Sequence, residues 1–167
     1  MSDSPWDKTR SDLELDRLLA ALTSRCASSA GRRLAEALPL LETVALAEAS
    51  LAEIDELVRL EDRGHTVPRG EFLLESETLR RTRVSAALSL EELGGLRHTL
   101  RLFGQAQRFL REHKDGAQAL LAACPRHEAE RPLLDELERA LDDDGQIADR
   151  ASERLAELRS ERNASRQ

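Results

Sequence analysis

At 167 residues and 18.6 kDa, the chain is long enough for one domain with a real core, or for a domain plus an extension. Aromatic residues are 2% of the total, so the core must be built from Leu and Ala, and the dominance of Leu, Ala, Glu and Arg disfavours a pleated sheet. A formal net charge of −7 and a pI near 5.2 exclude bulk electrostatic coating of nucleic acid and leave room only for a local basic face.

The composition predicts an all-α protein, and the chain supplies its punctuation in order. Residues 1–10 are polar and expected to be disordered. Ser11-Asp12-Leu13-Glu14 reads as a capping box, followed by Leu15, Leu18, Leu19, Leu22 and Cys26 on one apolar helical face. A short helix is expected from Ser28 to Leu38, stopping before Pro39. Val44, Ala47, Leu51, Ile54 and Val58 recur at 3-4-3-4 spacing, which predicts a long helix whose stripe buries against a neighbour. Gly64 is placed as its C′ residue. His65 to Gly70 reads as a loop, and a shorter helical piece follows from about Leu74 to Val84.

Ser89-Leu90-Glu91-Glu92 is a second capping box, opening a long helix to about Lys114 with Leu93, Leu96, Leu100, Phe103 and Leu110 on its seam. Gly94, Gly95 and Gly104 each cost that helix about 1 kcal/mol relative to Ala, which close packing against another backbone would account for. Ala117 to Cys124 forms a short helix, and Pro132 sits in the first turn of the next, which carries Leu133, Leu134, Leu137 and Leu141. Asp142-Asp143-Asp144-Gly145 ends it, and a highly charged helix runs from about Ser152 to Glu161. No repeat at 30–45 residues is present, which weighs against a solenoid.

Few residues suggest chemistry. Asp142 to Gly145 has the look of a calcium loop, yet setting Gly145 at position 6 puts Ala140 and Ala151 where ligands belong. A solvated acidic turn fits better. Cys124-Pro125-Arg126-His127 offers two of the four ligands a structural zinc site needs. Cys26 and Cys124 are too few for a disulfide framework, and Cys26 reads as a core residue. Neither a phosphate loop nor a nucleophile elbow occurs. No catalytic, cofactor-binding or metal residues are therefore expected. The one candidate site is basic: Arg97, Arg101, Arg108 and Arg111 lie along the long helix off its apolar seam, with Arg80, Arg81 and Arg83 upstream. Guanidinium forks on such a face match phosphate oxygens, whereas pairing with nearby Glu residues would make it a mixed-charge surface. With no interleaved aromatics, base stacking is not expected.

The stretches Leu13 to Leu19 with Ser28-Ser29-Ala30-Gly31, Glu53 to Leu60, Pro68-Arg69-Gly70, and Leu88 to Leu93 follow one another in an order that resembles the N-terminal region of the second bacterial MutS subfamily, which lacks the mismatch-recognition domain. The most specific is Asp142-Asp143-Asp144-Gly145-Gln146-Ile147-Ala148-Asp149 followed by Ala151-Ser152-Glu153-Arg154-Leu155. The resemblance covers about residues 11–162. It implies an irregular bundle of about seven to eight helices, core/lever-like, ending in the start of a long lever helix. The division expected is a disordered segment 1–10, a helical core domain 11–148 and the start of a charged lever helix at 149–167.

What the resemblance implies about function belongs to a larger parent. Such proteins are homodimeric ATPases using ATP and Mg, often with a C-terminal Smr endonuclease domain, and are associated with suppressing recombination and splitting collided ribosomes. This chain would be a non-catalytic structural segment packed against the remainder of its parent, reaching DNA or the ribosome through it. The ATPase, clamp and nuclease parts lie outside the sequence, so a truncated piece or a free-standing helical interaction module are the two expectations. An N-terminus without signal character and the lack of an apolar run of about 20 residues predict no membrane association and a cytoplasmic location.

Overall fold

The structure, a computed structural model, describes residues 10–39, 41–72, 76–84, 87–124 and 130–165. Among these the chain is helical, with a single isolated bridge between Leu141 and Ile147 in place of any strand. The all-α expectation is met. The helices are α1 (Leu15–Thr23), α2 (Ser29–Glu36), α3 (Val44–Asp62), α4 (Ser76–Thr82), α5 (Leu90–Glu112), α6 (Gln118–Ala123), α7 (Glu130–Ala140) and α8 (Glu153–Ala164). Short 3-10 turns occupy Lys114–Gly116 and Asp149–Ala151. Residues 1–9, Pro125 to His127 and the expected start of α4 at Leu74 lie outside the described residues.

Two helix boundaries follow from caps legible in the sequence, at Ser89 and at Gly64. Ser89 and Glu92 form a complete capping box: the Glu92 amide donates to the Ser89 hydroxyl at 3.1 Å, and the Ser89 amide donates to the Glu92 carboxylate at 2.7 Å. Ser28 and Thr43 cap α2 and α3 from one side only, accepting from the amides of Gly31 and Leu46. The end of α3 is a Schellman motif, in which Gly64 (φ 83°) donates to Glu61 O at 2.8 Å and His65 donates to Leu60 O at 3.1 Å. The capping box expected at Ser11 does not form. Glu14 instead occupies the N-cap of α1 with φ 49° and ψ 36° and makes no side-chain cap bond, and its carboxylate turns outward to Arg17 at 2.9 Å.

The core is small and lies where α3, α5 and α6 meet. Leu60, Leu110 and Ala117 are buried together, with Phe109, Leu120, Leu121 and Cys124 packed around them. Glu56 ties the same elements, accepting from the amides of Ala119 and Leu120 at 3.0 Å each and so serving the free N–H groups at the start of α6. Below this, α7 packs on α5 and on the Asp149–Ala151 turn, while α8 leans on that turn. Leu137, Leu141 and Ala148 are buried there. Gly70, in the loop after α3, sits against α5: a β-carbon on it would come within 3.0 Å of Leu102. By contrast, Gly94 and Gly104 meet nothing within 4 Å, so close backbone packing is not what places them in α5.

The stripe expected to bury α3 is instead open to solvent. Val44 is 74% exposed and Ile54 58%, and Leu51 and Val58 are exposed with them. The helix is anchored through its last turns, where Leu60 is 2% exposed. Leu18 and Leu22 of α1 and Leu34 of α2 are exposed as well. The periodicity correctly marks one apolar face, but among the described residues no element covers it.

Candidate functional site

The four arginines of α5 separate into two roles. Arg97 is 8% exposed and spends its guanidinium inside the molecule: Nη1 donates to Leu141 O at 3.2 Å and to Asp142 O at 2.8 Å. Those carbonyls lie just past the C-terminus of α7, where positive charge is favoured by the helix dipole. Arg150 joins it, donating to Glu138 O at 2.9 Å and Leu141 O at 3.2 Å. Arg97 therefore does not face a phosphate; it clamps α5 to the end of α7.

Arg101, Arg108 and Arg111 do come together. They line a groove of about 680 Å³ between α5 and α7, and α7 contributes Arg131 from the opposite wall, along with Glu130 and Glu138. Leu100 and Leu134 are its apolar lining. Arg101 Nε donates to Glu138 Oε1 at 2.9 Å, and Arg131 pairs with Asp135 one turn along its own helix at 3.0 Å. Arg111 donates to Gln107 O at 3.1 Å, which holds its side chain along α5. Arg108 is exposed and makes no hydrogen bond or ion pair among the described residues. Exposed pairs of this kind are worth about 0–1 kcal/mol, so Arg101 and Arg131 can exchange partners at little cost. Sequence reasoning missed Arg131, because spacing along one helix says nothing about which arginine a second helix will set opposite it.

Upstream, Arg81 is used locally, bonding Glu92 at 2.6 Å and Ala87 O at 3.3 Å, while Arg80 and Arg83 are exposed. The Asp142–Gly145 turn is a hydrogen-bonded reversal: the Asp142 carboxylate accepts from the Gln146 amide at 2.8 Å, and Gly145 has φ 75°. No group of three or more His, Cys, Asp or Glu residues arranged to hold a metal occurs among the described residues. Cys26 is half-buried and its thiol donates to Leu22 O at 3.5 Å.

One pairing had no signal in the sequence. His65, just past the Schellman turn, lies against His113 at the end of α5, with ring centroids 4.1 Å apart and His65 Nδ1 3.1 Å from His113 Nε2. His113 Nδ1 lies 2.8 Å from Phe109 O, which only accepts, so in the neutral ring that nitrogen carries the hydrogen. His113 Nε2 must then accept from His65 Nδ1–H. The pair is a latch between the α3 loop and α5 rather than an open ligand set.

Among the described residues, three carboxylates stand out electrostatically, each through hydrogen bonds within the fold. The carboxyl of Glu56 is pushed up by desolvation, but the amides of Ala119, Leu120 and Gln118 and the Arg59 charge outweigh this and hold it below its ordinary value. Glu71 is lowered by its hydrogen bonds from Ser29, whose amide lies at 2.7 Å, and Glu92 by the backbone amide of Ser89. None lines the α5–α7 groove.

No protein-family model matches the chain. Among curated proteins, an Endonuclease MutS2 of Anaeromyxobacter sp. (strain Fw109-5) is 31% identical over 156 residues, covering 92% of this chain and 19% of that protein. An Endonuclease MutS2 of Geobacillus sp. (strain WCH70) is 31% identical over 153 residues, covering 89% of this chain and 19% of that protein. The chain thus spans about a fifth of the length of the curated relatives it matches. Along most of its length it is related to a region of the MutS2 endonucleases.

Proposed function

We propose that the chain serves as a non-catalytic helical core and lever segment of a MutS-like ATPase, one that suppresses homologous recombination or rescues collided ribosomes. The observation that carries this reading is the uncovered stripe Val44, Leu51, Ile54 and Val58 on α3, continued in kind by Leu18, Leu22 and Leu34. Side chains at helical spacing that meet solvent are suited to packing against further protein. The relatives supply a reason for that further protein, since four-fifths of their length has no counterpart in this chain. On this reading the remainder of the parent covers the stripe, ATP and Mg act in other domains, and the parent works in the cytoplasm as a homodimer on DNA or the ribosome.

The reading is tested by the mass of the endogenous protein, using an immunoblot with an antibody to residues 11–162. The expected band is several times larger than 18.6 kDa. A band at that mass overturns the proposal and favours a free-standing helical interaction module whose stripe binds a separate partner.

A further inference from the structure

We propose that the groove between α5 and α7 seats the phosphodiester backbone of a nucleic acid, with Arg108 as its central contact. The groove concentrates positive charge on a chain whose net charge is −7: four arginines face two glutamates. From Arg101 to Arg111 the α5 wall runs about 15 Å at the helical rise, a length that matches several phosphates at one per about 3.4 Å of strand axis. Gly104 lies in that wall with no atom within 4 Å of where its β-carbon would be, which leaves open space between Arg101 and Arg108.

The partners of the arginines point the same way. Arg108 is exposed with no acceptor among the described residues, so its five donors are free to meet an incoming anion. Arg101 and Arg131 hold exposed carboxylates in single contacts, which a phosphate accepting from a guanidinium fork can replace. Arg111 is tethered along the helix by Gln107, which limits the freedom it loses on binding. Among the described residues no aromatic side chain lines the groove, so recognition is of the backbone, without sequence preference. This chemistry belongs to the groove and holds independently of any MutS-like parent.

The test is fluorescence anisotropy of the 167-residue chain with two labelled probes, a DNA duplex of about 20 base pairs and a single-stranded RNA of about 20 nucleotides. With about three phosphates neutralised, affinity between about 50 and 200 mM salt falls roughly 40-fold if the duplex binds and roughly 20-fold if the single strand does. Arg108→Ala weakens binding about tenfold and flattens the salt slope by about one, while Arg108→Lys loses less. Arg17→Ala, an exposed arginine on α1 away from the groove, binds as the wild type does. Helicity of each variant is checked by circular dichroism. Failure of both probes to bind at low salt overturns the proposal and leaves an acidic protein segment as the groove's occupant. Equal affinity of Arg108→Ala and wild type overturns it as well.

Discussion

Arg97 and Arg108 are chemically identical and eleven positions apart on one helix, yet they do opposite things. Arg97 is inside, feeding the carbonyls of Leu141 and Asp142; Arg108 is outside and uncommitted. Their spacing places both off the apolar seam of α5, and nothing in that spacing says that the end of α7 will arrive over one of them. The difference is measurable. Arg97→Met keeps the aliphatic stem but removes two charge-assisted hydrogen bonds from a buried guanidinium, so it should cost about 2 kcal/mol. A lowered urea midpoint with an unchanged slope is the expected result. Arg108→Ala should stay within about 0.5 kcal/mol of wild type, as surface substitutions do. If the two variants unfold alike, the division of roles is wrong.

At the scale of elements, the sequence is most legible where one local interaction decides the outcome. The Ser89 capping box and the Gly64 Schellman turn each close within six residues, and each forms where the pattern indicates. Ser11 carries the same pattern, but the backbone turns at Leu13-Glu14 and the helix starts later, with Glu14 left-handed. What the sequence does not disclose are ties across long separations, such as Glu56 reaching the amides of α6 some 63 residues on. That tie makes a pH-dependent prediction. The folded-state pKa of Glu56 is depressed, so its contribution is complete above the ordinary carboxylate range and is lost as pH falls through the lower folded value. Glu56→Gln should therefore melt a few degrees below wild type at pH 7, with the gap closing as pH drops below about 4. A gap that stays constant down to pH 3 would show that the carboxylate charge is not what holds α6.

For the whole molecule, the periodic stripe on α3 is correctly read as apolar and wrongly expected to be covered, because amphipathicity reports a face and not what lies against it. The small core at Leu60, Leu110 and Ala117 stands beside a stripe of apolar side chains that the described chain leaves open. An uncovered patch of that kind drives association in the isolated chain, which light scattering should show as a concentration-dependent mass above 18.6 kDa. Leu51→Glu with Ile54→Lys should return the chain to a monomer while leaving its helicity intact, since both side chains already stand in solvent. In a protein that contains the covering partner, the same two substitutions should be destabilising, because they would bury unpaired charge. A wild-type chain that remains monomeric at high concentration would mean the stripe is tolerated bare. The argument that something packs on it would then fail, whatever the mass of the endogenous protein.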